Sequence, residues 1–175
     1  MFDTCTHLTM IRGLRDLVGT ESDYKRDKVQ LSDVAGMFRN CYKLNLARKD
    51  LYSTYDTEYR CDLRHWNYAL STVKNFDDLF NGCHQLTNLV HLFSYGTDSY
   101  SMTRPHIGEN NTVFVNLTSF NGTFAYCYNL TEITYLSNIT VVPGKIESIA
   151  NIASNCSELT TFYWNPSNGN FSKFK

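Results

Sequence analysis

Apolar residues fall on a recurring grid along this chain, anchored by cysteines at positions 5, 41, 83, 127 and 156. Three residues before each anchor stand Phe2, Phe38, Phe80, Phe124 and Ala153, and three after it stand Leu8, Leu44, Leu86, Leu130 and Leu159. Four before come Met1, Met37, Leu79, Thr123 and Ile152; seven before, Val34, Phe76, Phe120 and Ile149; ten before, Leu31, Val73, Leu117 and Ile146. Offsets of ten, seven, four and three lie on one stripe of about two helical turns, so the pattern predicts a short helix ahead of each cysteine. Immediately before the anchor stand Thr4, Asn40, Gly82, Tyr126 and Asn155; Gly and Asn take the left-handed conformation most easily, so three of the five copies, at Asn40, Gly82 and Asn155, predict a stop. Beyond the cysteine the Leu is followed by Thr-rich positions (Thr9, Asn45, Thr87, Thr131, Thr160) and then Ile11, Ala47, Leu89, Ile133 and Phe162. Such a run predicts a short strand.

Each unit is thus expected to be a short helix, a tight turn and a short strand. One unit cannot bury its own stripe, whereas stacked units align their strands into a parallel sheet and share a core. The expected fold class is therefore α/β: a solenoid of about five irregular units with long insertions. In the first unit the positions ten and seven before the cysteine are missing, and natural solenoids end in a polar cap. The expectation is that residues 1–175 form a single domain that is a fragment, or the C-terminal part, of a longer protein, with a true start and a frayed first unit as the alternative.

The string "VKNFDDLFNGCHQLTNLVHL" (Val73 to Leu92) resembles the BspA-type leucine-rich repeats of bacterial surface proteins and of some bacteriophage and protist proteins. "VAGMFRNCYKLNL" and "FNGTFAYCYNLTEI" resemble them nearly as well. Spacings of 36, 42, 44 and 29 residues between the anchors are longer and less uniform than the family's units, and imply insertions. What the resemblance implies is a non-catalytic repeat module that binds a protein or glycan at a cell surface, extracellular or on a virion. In the alternative reading the repeats are a structural spacer or assembly element of a larger chain or virion, self-associating or docking through the uncapped first unit.

Composition narrows the chemistry. With 42% apolar and 14% aromatic residues the chain can bury a sizeable core, and a formal net charge of −1 gives no broad attraction for nucleic acid or anionic lipid. No apolar run approaches the roughly 20 residues of a membrane span, so membrane insertion is not expected. Six cysteines invite a disulfide count, but Cys5, Cys41, Cys83, Cys127 and Cys156 share one inward position, where a small weakly polar side chain packs as a reduced thiol. Cys61 falls outside that series. Cys83, His84 and His91 form the one Cys/His cluster and lack zinc-site spacing. No phosphate loop, calcium loop or nucleophile elbow is present. No enzyme activity, metal or cofactor is expected.

The candidate binding residues lie in the insertions. "DLYSTYDTEYRCDLRHWNYALST" carries Tyr52, Tyr55, Tyr59, Trp66 and Tyr68, and "SYGTDSYSMTRPHIGENN" carries Tyr95, Tyr100, Arg104 and His106. Tyr, Trp and Arg combine rigid area with a polar tip, which suits a binding surface. The other reading is that these aromatics brace the insertions against the repeats.

Overall fold

The computed structural model describes residues 1–9, 11, 31–45, 72–87, 113–114, 116–133, 140–141 and 145–162. Within them, equivalent segments of the five units lie one upon the next. Among the described residues there is no helix. The segment ahead of each cysteine is a chain of tight turns in which one N–H bonds to the carbonyl three residues back: Met37 to Val34 (3.0 Å), Arg39 to Gly36 (3.0 Å) and Cys41 to Phe38 (3.2 Å). The expected short helix is therefore corrected to turns, for two physical reasons.

First, the backbone is left-handed at two places per unit. Before the cysteine, Thr4 (φ 62°), Asn40 (57°), Gly82 (76°), Tyr126 (59°) and Asn155 (59°) all take positive φ, and so do Gly36 (59°), Asp78 (56°), Gly122 (60°) and Asn151 (56°) five before it. A left-handed residue breaks the i→i−4 ladder, and its place third in the turn is where a type II turn needs it. Second, the remaining N–H groups point to the next unit. Phe76, Asp78, Phe80 and Gly82 donate to the carbonyls of Ser119, Asn121, Thr123 and Ala125 at 2.8–3.0 Å. Phe120, Gly122, Phe124 and Tyr126 donate likewise to Ser148, Ala150, Ile152 and Ser154 at 2.8–3.0 Å. Alternate residues thus serve their own unit and the neighbouring one, so buried backbone groups are paired without a helix.

The strand side follows the expected location only in part. Strand β1 (Val113–Phe114) pairs in parallel with β3 (Thr140–Val141), and β2 (Glu132–Ile133) pairs in parallel with β4 (Thr161–Phe162). The β2–β4 pair falls five and six residues after Cys127 and Cys156, within the Thr-rich run. The β1–β3 pair lies outside the repeat grid. Single parallel bridges join Asn75 to Ser119 and Ser119 to Ser148.

Side chains at one grid position stack on their counterparts. Phe2, Phe38, Phe80 and Phe124 form a column with ring centroids 5.6, 5.2 and 6.1 Å apart and interplanar angles of 4°, 12° and 5°. Beside it Phe76 and Phe120 meet at 5.4 Å. These rings join Val34, Leu44, Val73, Leu79, Leu86, Leu117, Leu130 and Ile133 in one buried cluster. Buried Thr123 replaces an apolar residue without cost to that core, because its hydroxyl lies 3.0 Å from the Phe76 carbonyl and 2.8 Å from that of Phe120.

Candidate functional site

The residue that follows each cysteine faces outward. Cys41, Cys83 and Cys127 each open a turn closed by the Leu44, Leu86 and Leu130 N–H at 2.9–3.1 Å, and the cysteine's inward side chain leaves Tyr42, His84 and Tyr128 on the solvent side. Backbone bonds keep these three in register: Gln85 N–H to the Tyr42 carbonyl (3.2 Å) and Asn129 N–H to the His84 carbonyl (3.3 Å). The rings then stack at close to the spacing of paired strands. Tyr42 and His84 lie 4.5 Å apart at 8°, and His84 and Tyr128 lie 4.6 Å apart at 39°. Tyr126, on the left-handed residue before Cys127, meets Tyr128 edge-on at 6.4 Å and 87°.

This stripe crosses three units and remains open to solvent, with Tyr42 38%, Tyr126 44% and Tyr128 39% exposed. Both faces of the His84 ring are covered by tyrosines, so the stripe offers ring edges, phenol hydroxyls and imidazole nitrogens to a ligand. Desolvation between the rings lowers the His84 pKa below its ordinary value, which keeps the imidazole neutral near pH 7, with one donor and one acceptor nitrogen. The pattern suits shape-matched, hydrogen-bonding recognition. Thr6 and Ser157 take the same position in the end units, so the aromatic stripe stops at both ends.

The inward cysteines form a second series. Each Sγ donates to the carbonyl of the residue three before the preceding anchor: Cys41 to Phe2 (3.0 Å), Cys83 to Phe38 (3.2 Å), Cys127 to Phe80 (3.2 Å) and Cys156 to Phe124 (3.0 Å). The carbonyls of Phe2, Phe38, Phe80 and Phe124 also accept an N–H from their own unit, so the thiol fills a second lone pair inside the stack. Burial pushes the Cys41 thiol up to about 11 and raises those of Cys127 and Cys156. Such thiols stay protonated at neutral pH and are poor nucleophiles. Cys5, Cys41, Cys83, Cys127 and Cys156 are all free, and Cys5 alone among them is exposed. Cys83 and His84 point to opposite sides of the chain and so cannot share a ligand. Among the described residues no group of three His, Cys, Asp or Glu side chains is placed to hold a metal ion, and no helix is long and apolar enough to cross a membrane.

The repeat positions Phe2, Leu8, Phe38, Leu44, Phe80, Leu86, Phe124, Leu130 and Leu159 all lie in or against the buried cluster. The insertion candidates Tyr52, Tyr55, Tyr59, Trp66, Tyr68, Tyr95, Tyr100, Arg104 and His106 lie outside the described residues, as do Cys61 and His91. The aromatic stripe is absent from the sequence-based expectation. Its signal was present: reading the column one after the cysteine gives Thr, Tyr, His, Tyr and Ser, three rings in a row on an outward position. No family model, no curated protein and no solved structure matches the chain.

Proposed function

We propose that the chain is a non-catalytic binding module, built as a repeat solenoid of the leucine-rich type, that grips a protein or glycan at a cell surface as part of a surface protein or a virion. The observation that carries this reading is the exposed stripe of Tyr42, His84, Tyr128 and Tyr126. Buried aromatics need no ligand, but several that stay half-exposed in a row form an amphipathic surface of the kind used at interfaces. Protonated, inward-facing thiols at Cys41, Cys127 and Cys156 support a structural rather than chemical use of the cysteines.

The test is attachment of the labelled protein to whole cells and to an array of immobilised glycans. The double variant Tyr42→Ala/Tyr128→Ala should bind at least about 10-fold more weakly, with an unchanged far-UV circular dichroism spectrum. Attachment that survives this change at full strength would overturn the reading for the stripe. The Trp66→Ala/Tyr68→Ala pair then tests the insertion.

A further inference from the structure

An Asn-Gly pair carries a chemistry of its own, because glycine puts no side chain in the way when its backbone nitrogen attacks the side-chain carbon of the asparagine before it. The chain contains this pair at 81–82, 121–122 and 168–169, and the first two lie among the described residues. In both, the fold occupies the attacking nitrogen. Gly82 N–H donates to the Ala125 carbonyl at 2.8 Å and Gly122 N–H to the Ala150 carbonyl at 2.9 Å. Each bond runs to the next unit, so the nitrogen is kept from turning toward the asparagine while the units stay stacked.

The two asparagine side chains are held differently. Asn81 donates its amide to the Asp78 Oδ1 at 2.7 Å, within its own unit. Asn121 reaches across: its Oδ1 accepts the Ala150 N–H at 2.9 Å and the Ser148 hydroxyl. Ala150 therefore clamps both reactants, the Asn121 side chain through its N–H and the Gly122 nitrogen through its carbonyl. One local separation of the Cys127 and Cys156 units releases both, whereas separation of the Cys83 and Cys127 units leaves the Asn81 side chain tied to Asp78. The position also suits an acid. Asp77 stands six before Cys83 as Asn121 stands six before Cys127, and its Oδ1 accepts the Ser119 hydroxyl (2.6 Å) and the Asn121 N–H (2.7 Å) in the same way.

We propose that Asn121 is a self-modification site, deamidating through Gly122 whenever the Ala150 clamp opens. The Gly122 nitrogen gives its proton to water or hydroxide and bonds to the Asn121 Cγ; the Cγ–Nδ2 bond breaks, and the leaving nitrogen takes a proton back and departs as ammonia. Water then opens the cyclic imide at either carbonyl. One product is aspartate, which keeps an Oδ1 for the Ala150 N–H and the Ser148 hydroxyl as Asp77 does for Asn121 and Ser119, so the units close again. The other is isoaspartate, whose backbone runs through the former side chain. It carries no Oδ1 at that place and displaces the Gly122 N–H, so the contact between the Cys127 and Cys156 units stays open.

Peptide mapping by mass spectrometry of the full chain, held at mildly alkaline pH with and without urea, reads the conversion at each pair. Asn121 should convert at least about 10-fold more slowly in the folded chain than in urea, a factor that corresponds to an opening free energy of about 1.4 kcal/mol. Two variants loosen the side-chain half of the clamp alone. Ala150→Pro removes the N–H at the second place of a turn closed by the Ile152 N–H on the Ile149 carbonyl (3.3 Å), with left-handed Asn151 third, and that place favours proline. Ser148→Ala removes the hydroxyl, and serves by itself if the proline variant melts early. Each should speed conversion at Asn121 in the folded chain by roughly 2- to 10-fold, the worth of one hydrogen bond, and leave Asn81 at its wild-type rate. Equal rates at Asn121 with and without urea, no conversion there even in urea, wild-type rates in both variants, or a matching rise at Asn81 would each overturn the proposal.

Discussion

Cys83 and Cys5 hold the same place in the same motif, yet Cys83 is sealed from solvent within the stack and Cys5 is exposed. The same contrast separates Phe80, covered by Phe38 on one face and Phe124 on the other, from Phe2, which among the described residues has a ring partner on one face only. It also separates Leu130 from Leu159, the first fully buried and the second partly so. Identical side chains thus contribute differently according to how many neighbours their unit has. In a stack of this kind stability is close to a sum of unit terms and nearest-neighbour interfaces, and an inner unit takes part in two interfaces where an end unit takes part in one.

Truncating one ring of the Phe column gives the largest difference between inner and end units. Phe80→Ala opens a cavity between two rings and should cost about 3–5 kcal/mol, the usual range for a buried Phe. Phe2→Ala removes a half-buried ring that touches one neighbour and should cost less than about 2 kcal/mol. Urea denaturation of both variants checks the ordering. Equal losses would mean that the column does not act through nearest neighbours.

The left-handed glycines give a smaller effect with a different cause. Gly36 and Gly122 share a grid position and nearly the same φ (59° and 60°), so both lose roughly 1–2 kcal/mol when Ala must adopt that conformation. They differ in what a Cβ would meet. At Gly36 the nearest atom is the Arg39 Nε at 3.6 Å, whereas at Gly122 it is the Asp78 Oδ1 at 2.5 Å, held by the Asn81 amide at 2.7 Å. Gly122→Ala should therefore be the worse of the two by about 1 kcal/mol, the worth of the displaced hydrogen bond. A thermal melt of each variant reads the difference, which for a domain of this size amounts to a few degrees. Gly36→Ala melting at or below Gly122→Ala would contradict it.

These positions also mark where the sequence was readable. Anchors that must be apolar whatever the backbone does, such as Phe38, Cys83 and Leu130, stand out by spacing alone, and the left-handed residue before the cysteine follows from side-chain preference at Asn40, Gly82 and Asn155 but not at Thr4 and Tyr126, which take positive φ against their type. The stretch ahead of it was ambiguous, because offsets of ten, seven and four repeat every three residues and suit stacked i→i−3 turns as well as one stripe of a helix. The deciding signal was five before the cysteine, where Gly36, Asp78, Gly122 and Asn151 are all types that tolerate positive φ. The stripe of Tyr42, His84 and Tyr128 was hidden for another reason. Aromatic residues draw attention where they cluster along the chain, as they do between residues 52 and 68, whereas these three are more than 40 residues apart and meet only because the units stack.

The smallest effect concerns charge, and it again sets an end unit against an inner one. Asp3, in the first unit, is held below its ordinary carboxylate pKa chiefly by hydrogen bonding from the Arg39 guanidinium. A lowered folded-state value means that this pair contributes stability above the unfolded pKa, near 3.9, and that the contribution is lost as pH falls through the folded value. His84, inside the ring stack, is lowered by desolvation instead. For a base the consequence comes at higher pH: the unfolded chain takes up the proton first, so stability falls as pH drops from above about 6.5 toward the folded value. Melting temperatures of the wild type, Asp3→Asn and His84→Phe across this range should therefore separate two windows. His84→Phe should lack the decline that begins near pH 6.5, and Asp3→Asn should lack part of the steeper decline below pH 4. Both contacts are solvent-screened, so each difference should be no more than a degree or two. If Asp3→Asn changes the profile near neutral pH instead, its ion pair acts through something other than the carboxylate's own titration.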